Sequence, residues 1–482
     1  MKKIKIFVVF LLLLGLGACK DSFFDVNTPS NVIDKDAVSV KTQLPYVQTR
    51  LASMHFSVAY TTARYSQQIA SYFVGGADSH ERTSLAGAWS NLYLRILPNT
   101  RLIKEKAEAE GMKHYLGIAQ VLEALAVQLA TDQWGDIPYS EAGQTSENLY
   151  PKVDSQEDIY NALLNLLDQA IANLSAPVGP LSPGNDDIIY GGNVDKWLRA
   201  AYTLKARIYL HLTKRNSSYY NDVLTALQNG FTSIDDDMQI FYDEVAKNPW
   251  YTSVVAARRT SNLSVLWSEQ LIDYMNGTDI AFNSVIMDPR LPKYADNGGV
   301  ANYIGAVNGS GGLAPGGGNN ANANLADDAY FSETAPIFML TFMEAKFMEA
   351  EAHLALGNNV DAYNAYLDGI AASMDKLGVD PVDRDNYLMD TAVAMGASNL
   401  TMSDIMMQKF IAMVVHPEVW TDLRRFDFDP LVYVDLDYPE NRSTDIPAGE
   451  WPRRAVYPGS EVDRNPNIQQ VEEWWTRLWW DQ

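Results

Sequence analysis

The most constraining part of this sequence is residues 336–357, where apolar side chains recur on two opposite sides of a helical wheel. One stripe contains Phe338, Ala345, Met348, Ala352 and Leu356, and the other contains Met339, Met343, Phe347, Ala350 and Leu354. Charged residues, among them Glu344 and Glu351, separate the two stripes. A helix that must bury two sides lies between two neighbouring helices, which is the arrangement of stacked helix pairs.

Helical periodicity also occurs in other segments, whereas strand patterns are sparse. The predicted helices cover 44–106 in pieces, 114–133, 157–174, 194–212 and 361–374. The pair Gly75-Gly76 is expected to end one early helix, and Ser155 with Asp158 is expected to begin the helix at 157. Segments 336–357 and 361–374 together resemble a degenerate tetratricopeptide unit. The predicted class is therefore mainly α, with TPR-like stacked helix pairs forming one body over residues 41–482.

The pattern changes between about 230 and 335, which we interpret as a loop-rich insertion. Its tract from Asn297 to Leu325 is rich in Gly, Asn and Ala and contains too few large apolar side chains to pack a core. Long loops in compact proteins are often functional. A functional loop and a disordered insertion are both compatible with this composition.

The N-terminus has the features of an export signal. Three lysines within the first five residues precede an apolar run, Ile6 to Leu16, which is too short to span a bilayer. The small residues Gly17 and Ala18 then lead to Cys19, an order that resembles the bacterial lipobox. We therefore predict a lipoprotein signal peptide over 1–18, lipidation at Cys19 and a polar tether over 19–40.

Composition excludes several functional classes. The net charge of −23 argues against binding to nucleic acid or to anionic lipid headgroups, because both would be repelled. Six histidines show no metal-ligand spacing, and no nucleophile or phosphate-loop motif is present. An acidic pair such as Asp327-Asp328 could imitate the two catalytic carboxyl groups of a glycosidase, but such pairs are expected by chance among 60 acidic residues. We predict no catalytic residues, no metal and no cofactor.

Several stretches, in order along the chain, resemble the SusD/RagB family. They are the lipobox at Cys19, Trp89-Ser90-Asn91-Leu92-Tyr93 with Asn99, Trp134-Gly135-Asp136-Ile137-Pro138-Tyr139-Ser140, Gln408-Lys409-Phe410-Ile411, Glu418 to Arg425, Pro452-Arg453-Arg454, Tyr457-Pro458, Glu461 and Asn465-Pro466-Asn467. The resemblance implies a TPR-like helical body with an elaborated loop face. It also implies a lipid-anchored protein of the outer membrane that faces the exterior. The resemblance further implies that the protein captures nutrients for a TonB-dependent SusC-type transporter and catalyses no reaction.

The resemblance favours an oligosaccharide as the nutrient. Capture of peptides or of another nutrient by the same architecture remains an alternative, and so does a helical-repeat scaffold for protein–protein contacts.

A sugar site needs flat aromatic faces together with polar side chains. The candidate ligand-binding residues are Tyr72, Asp78, Trp89, Asn91, Asn302, Tyr303 and Tyr330. Each aromatic residue has packing in the core as its alternative. The terminal tryptophans from Trp474 to Trp480 could form a sugar platform, but their spacing favours docking onto the body.

Overall fold

The computed structural model describes residues 38–143, 148–260, 263–277, 286–299, 302–312 and 322–482. The predicted signal peptide, Cys19 and the tether up to residue 37 lie outside these residues, as does the centre of the glycine-rich tract. Among the described residues, no helix is both long enough and apolar enough to cross a membrane.

Helices account for most of the regular structure in the described part of the chain. They are α1 (Val40–Tyr65), α2 (Ala86–Asn91), α3 (Leu97–Ala109), α4 (Lys113–Trp134), α5 (Gln156–Leu174), α6 (Val194–Leu212), α7 (Tyr219–Leu227), α8 (Ala256–Arg258), α9 (Glu269–Met275), α10 (Leu291–Tyr294), α11 (Phe342–Ala355), α12 (Asn359–Lys376), α13 (Pro381–Leu388), α14 (Met402–Ala412), α15 (Pro417–Arg425) and α16 (Gly459–Val462). A π-helical turn, Leu92–Ile96, joins α2 to α3.

The helices pack mainly on their neighbours in sequence. α3 packs on α4, α4 on α5, α5 on α6 and α6 on α7, and α11 then packs on both α7 and α12. α14 lies against α11 and α12, while α1 crosses α2, α3, α4 and α15. Serial packing of consecutive helices is the property of helical-repeat folds. The prediction of a mainly α fold built from stacked helix pairs is confirmed.

Helix α11 buries its two stripes in two different places. Met343, Phe347 and Ala350 belong to the main core. Ala345, Met348 and Ala352 belong to a separate cluster with residues of α6 and α7, namely Ala206, Leu210, Val223 and Ala226. The expected position of this helix between two neighbours is therefore correct.

The predicted start of that helix is wrong. Residues Ile337–Leu340 form strand β6, which pairs antiparallel with β2 (Met238–Ile240). The helix begins only after Thr341, whose side chain accepts a hydrogen bond from the backbone N–H of Glu344. A short apolar run is compatible with either a buried strand or a buried helix, so periodicity alone could not place this boundary.

Two further strand pairs organise the insertion. β1 (Ile69–Ser71) pairs antiparallel with β3 (Val265–Trp267), and β4 (Ala295–Asp296) pairs antiparallel with β5 (Asn324–Leu325). β1 also corrects the predicted end of the first helix, because α1 stops at Tyr65, well before Gly75. The partner of β1 is distant in sequence, so the local pattern could not indicate this strand.

Candidate ligand-binding site

Three loops meet at the end of the β1–β3 pair, and we call them together the loop face: residues 72–78, 305–312 and 434–443. The backbone N–H of Gly312 donates to the carbonyl of Tyr72 over 3.1 Å. The backbone N–H of Glu440 donates to the carbonyl of Asn308 over 2.8 Å. The segment 305–312 therefore lies between the other two loops and holds them together.

The buried side chain of Asp78 holds the middle loop, residues 305–312, in place. Its carboxylate is fully buried and accepts hydrogen bonds from the Asn308 amide and from the backbone N–H of Gly309, the latter over 2.8 Å. Burial raises the pKa of Asp78, although these hydrogen bonds partly oppose the rise. Asp78 was predicted to bind ligand; the structure gives its carboxylate a positioning role and no exposure to solvent.

Two glycines allow the close approach of the loops. A Cβ on Gly312 would lie 2.0 Å from Leu266 Cδ1. A Cβ on Gly309, which has φ +80°, would lie 1.7 Å from the carbonyl oxygen of Glu440. Glycine is required at 309, where the obstacle is backbone and φ is positive, whereas a side chain at 312 would displace Leu266.

The tip of the first loop presents apolar side chains to solvent. Phe73 is 71% exposed and Val74 is 57% exposed. Tyr72 is half-buried against Ala70, and its ring lies perpendicular to that of Phe73 at a centroid distance of 4.9 Å. The exposed phenyl ring is thus supported by a second aromatic ring on a strand-anchored loop.

A polar cleft of about 390 Å³ opens on the same face. It is lined by Gln67, Ser268, Glu269, Gln270, Asp273, Tyr274, Val307, Asn308, Asp435, Asp437, Tyr438, Pro439 and Glu440. Asn308 lines the cleft and Gly312, four residues later, contacts Tyr72. Four residues span at most ~14 Å of extended chain, so Tyr72 and the cleft are close neighbours.

Tyr438 stands at this cleft in a fixed aromatic stack. Its ring lies 4.6 Å from that of Trp451, which in turn stacks on Phe428 at 4.7 Å. The guanidinium of Arg442 covers the Tyr438 ring at 4.7 Å. Tyr438 remains 38% exposed, so the stack holds an aromatic edge in solvent.

Trp89 and Asn91 lie away from the loop face, inside the body. Trp89 is only 3% exposed, and its ring packs on those of Tyr93 at 4.5 Å and Trp134 at 5.1 Å. Asn91 is also buried; it donates to the carbonyl of Gly87 and accepts from Arg95 Nη1 over 2.9 Å. Burial in the aromatic cluster leaves neither side chain with a surface for a ligand.

The other three predicted residues are dispersed. Asn302 is exposed and Tyr303 is half-buried, and both precede the loop 305–312 on the side of the β4–β5 pair. Burial raises the pKa of Tyr303. Tyr330 is only 7% exposed; its ring lies 4.6 Å from that of Phe338, beside a small cavity of about 30 Å³. The structure therefore brings Tyr72 and Asp78 together and keeps Tyr330 apart from them.

A protein-family profile matches most of this sequence. Residues 31–458 match the profile of the SusD-like family, which is described as starch-binding and associating with the outer membrane. The chain belongs to the SusD-like family. No curated protein sequence matches it.

Several solved structures share this SusD-like fold. A chitin-binding protein has 22% sequence identity and a TM-score of 0.74, over 92% of this chain and 100% of that chain. A SusD/RagB family protein from Bacteroides thetaiotaomicron has 25% identity and a TM-score of 0.72, over 92% and 99%. A chitin-binding SusD homolog from Flavobacterium johnsoniae has 21% identity and a TM-score of 0.72, over 92% and 98%.

One buried cluster in this SusD-like protein has the residue types of a metal site. Donor atoms of Asp132, His211 and Glu418 all lie within 4.8 Å of one another. However, His211 Nε2 lies 2.9 Å from Glu418 and its Nδ1 lies 3.4 Å from Asp132, so the imidazole bridges the two carboxylates. An imidazole gives a metal ion only one of its nitrogens, so these groups do not converge on one centre. Their geometry fits an interior ion network.

In this network, each charged side chain stabilises the charged form of its neighbour. Burial alone would lower the pKa of His211, but the carboxylates of Glu418 and Asp132 outweigh it and raise the pKa to about 9. The pKa of Glu418, in turn, is well below its usual range because His211 and Arg207 offset its burial. The network ties α4, α6 and α15 together inside the helical body.

Sequence reasoning missed most of the cleft of this SusD-like protein. Segment 434–443 has little periodicity, and Gln67 and Glu269 belong to no motif. The available signal was the aromatic and acidic composition of Asp435 to Glu440 around Pro439. Such composition is common in surface loops, so it could not identify a site by itself.

Proposed function

We propose that this SusD-like protein captures an oligosaccharide at the loop face and delivers it, unchanged, to a TonB-dependent SusC-type transporter in the outer membrane. In this proposal a lipid on Cys19 anchors the protein to the outer membrane, with the loop face directed to the exterior. The lipid anchor, the transporter and the orientation are extended to this chain from the SusD/RagB resemblance.

The exposed ring of Phe73 beside a polar cleft is the observation that carries this proposal. Leaving a phenylalanine side chain largely in water forgoes about 1.5–3 kcal/mol of burial free energy, which a ligand that covers the Phe73 ring could recover. Sugars present apolar faces that pack on aromatic rings and hydroxyl groups that bind polar side chains. The loop face offers both features within a short distance.

The family and the structural relatives support the same ligand class. The family is described as starch-binding, and two of the similar structures are named as chitin-binding. Because the loop face is built from loops that connect regular elements, its details can differ between relatives while the helical body is retained.

Calorimetry on the purified protein tests capture directly, with a panel of neutral, basic and acidic oligosaccharides and a panel of peptides. We expect saturable binding of an oligosaccharide with no product in the recovered ligand. Replacing Phe73 by alanine should weaken that binding about tenfold or more, because a ring contact is lost. Phe241→Ala is the matched control, since Phe241 is 64% exposed but lies outside the loop face.

The outcomes separate the hypotheses. Binding of peptides alone would favour a peptide as the captured nutrient instead of an oligosaccharide. Formation of a product would contradict the proposal that the protein catalyses no reaction. Equal losses in the two phenylalanine variants would remove the loop face as the site. The delivery step is tested separately by co-purification from membranes, where failure to recover a TonB-dependent transporter would contradict it.

A further inference from the structure

We propose that Asn308 is the positioning residue of the loop face. In this role it holds the loops 72–78, 305–312 and 434–443 in their ligand-binding arrangement before a ligand arrives, and it thereby controls the rate at which an oligosaccharide is captured. The inference rests on the proposed function and adds the residue on which the shape of the site depends.

The side chain of Asn308 joins elements that are distant in sequence. Its amide nitrogen donates to the carbonyl of Ile69 in β1 over 3.0 Å and to the carboxylate of Asp78. Its Oδ1 accepts from the hydroxyl of Ser268, whose oxygen also caps α9 by accepting from the backbone N–H of Gln270. A side-chain amide has two N–H donors, so both donors of Asn308 are used inside the protein.

The backbone at Asn308 connects the middle loop to the segment 434–443. The carbonyl of Asn308 accepts from the backbone N–H of Glu440 over 2.8 Å. The carbonyl of the next residue, Gly309, accepts from the side-chain amide of Asn441 over 3.1 Å. Fixing the side chain of Asn308 therefore also fixes the place at which the segment 434–443 lies against the middle loop.

Other donors hold the segment 434–443 on the protein independently of Asn308. Gln67 Nε2 donates to the carbonyl of Asp437 over 2.6 Å, and the backbone N–H of Ser443 donates to the carbonyl of Ser79 over 2.7 Å. Loss of the Asn308 side chain should therefore loosen the arrangement of the three loops without detaching the segment or unfolding the body.

Asn308 is placed to act through its neighbours and not by binding the ligand itself. It lines the cleft, but it is only 4% exposed and both of its donors are occupied. The middle loop that it fixes contacts Tyr72 through Gly312 and contacts the segment 434–443 through Asn308 itself. The side chain thus determines how the surfaces on the two sides of the middle loop are placed relative to each other.

Positioning has a kinetic signature that a ligand contact does not share. A site that is competent for only a fraction of the time associates with its ligand more slowly, in proportion to that fraction. Once the ligand is bound its contacts are unchanged, so the dissociation rate constant changes little. Removing a ligand contact instead acts mainly on the dissociation rate constant.

Binding kinetics on the immobilised full-length protein test this distinction, with maltohexaose and an N-acetylglucosamine hexasaccharide as the probes. We expect Asn308→Ala to lower the association rate constant about tenfold and to change the dissociation rate constant by less than about twofold. Phe73→Ala should raise the dissociation rate constant instead.

Asn248→Ala is the matched control. Asn248 is also a buried asparagine whose side chain fixes loops, since its amide donates to the carbonyl of Ala335 over 2.8 Å and its oxygen accepts from the backbone N–H of Trp250 over 2.7 Å. It lies outside the loop face. The control variant should unfold at a lower urea concentration and keep both rate constants of the native protein.

A reciprocal exchange tests the bond between Asn308 and Asp78. Asp78→Asn places two amides opposite each other, and Asn308→Asp places two carboxylates opposite each other, so each change alone should slow association. The double variant restores a donor and an acceptor in the reverse order, and it should associate several-fold faster than either single variant. The recovery is partial, because an aspartate at 308 cannot donate to the carbonyl of Ile69.

Hydrogen exchange tests the positioning role without a ligand. The backbone N–H groups of Gly309, Gly312 and Glu440 each donate across the junction of the three loops. We expect slow exchange of these amides in the native protein and faster exchange in Asn308→Ala, with the exchange of α4 unchanged.

The results distinguish this inference from the capture function. The inference is overturned by an unchanged association rate in Asn308→Ala, by a loss confined to dissociation, by a double variant as slow as the single ones, or by fast exchange of the three amides in the native protein. Each of these results leaves capture intact. If the native protein binds no oligosaccharide, the proposed function itself is refuted and the inferred control of capture falls with it.

Discussion

Replacing His211 by glutamine should remove a pH-dependent part of the stability of the helical body. In the folded protein His211 has a pKa of about 9, against 6.5 for the free side chain, because Glu418 and Asp132 hold its imidazolium between them. A folded-state pKa above the unfolded value stabilises the protein fully below pH 6.5. That stabilisation is lost as the pH rises through 9.

The magnitude follows from the size of the shift. One pKa unit corresponds to about 1.36 kcal/mol, so a rise from 6.5 to about 9 is worth about 3 kcal/mol. His211 is fully buried, so solvent screening does not reduce this value substantially. The glutamine variant cannot carry the charge and should be less stable by about this amount near pH 6.

Urea unfolding of the native protein and of His211→Gln, near pH 6 and near pH 10, measures the effect. Tyrosines and carboxylates outside the His211 network titrate in both proteins, so their contributions to the stability largely cancel in the difference. We expect the stability difference of about 3 kcal/mol near pH 6 to fall towards zero near pH 10. A difference that is the same at both pH values would refute the charged state assigned to His211.

Two further predictions concern the C-terminus and a histidine cap. Asp481→Ala should lower the free energy of unfolding by about 3 kcal/mol, because it removes one of the carboxylates that pair with the nearly buried guanidinium of Arg453, 2.6 Å away. As a control, Glu472→Ala removes an exposed ion pair and should change the free energy of unfolding in urea by under ~0.5 kcal/mol. Burial and the charge of Arg207 lower the pKa of His416 to about 3, so the unfolded chain binds more protons between pH 3 and 6.5. The free energy of unfolding should therefore fall by about 2 kcal/mol more between pH 7 and pH 5 in the native protein than in His416→Asn. Asparagine can still cap α15, so the variant removes the titrating group and keeps the cap. Parallel plots of stability against pH for the two proteins would contradict this.

Local patterns were sufficient to predict most of the helices. Ser155 caps α5 as expected, because its side chain accepts the hydrogen bond from the backbone N–H of Asp158. The apolar circumference of 114–133 correctly predicts that α4 is buried on every side. These features depend on residues that are close in sequence, which is why a single sequence contains them.

Interior charge pairs could be predicted only in part. Glu344 and Glu351 lie seven residues apart, so their common flank of α11 was visible on the helical wheel. Their partners were not, because Arg207 binds Glu344 from α6 and Arg425 binds Glu351 from α15. Sequence proximity to Asp422 and Glu418 does not decide the partners of Arg424 either: its guanidinium donates to the backbone carbonyls of Asp132 and Arg453 and to the hydroxyl of Thr421.

The candidate site was the least predictable part. Trp89 was selected because it lies in a family-like motif, but its burial depends on packing with Trp134 and Tyr457, which are distant in sequence. Phe73 was one aromatic residue among many in the sequence. Its exposure depends on the pairing of β1 with β3, which directs the following loop away from the body.

Carboxylates are held differently in the helical body and at the loop face. Inside the body, the carboxylates of Glu344 and Glu351 each bind an arginine. At the loop face, the buried carboxylate of Asp78 accepts hydrogen bonds from neutral donors and fixes the middle loop, which in the proposed function lowers the entropy cost of binding. At the cleft, Glu269, Asp435, Asp437 and Glu440 are exposed and form no ion pair with a basic side chain of the described part of the chain, so their charge is balanced by solvent rather than by the protein.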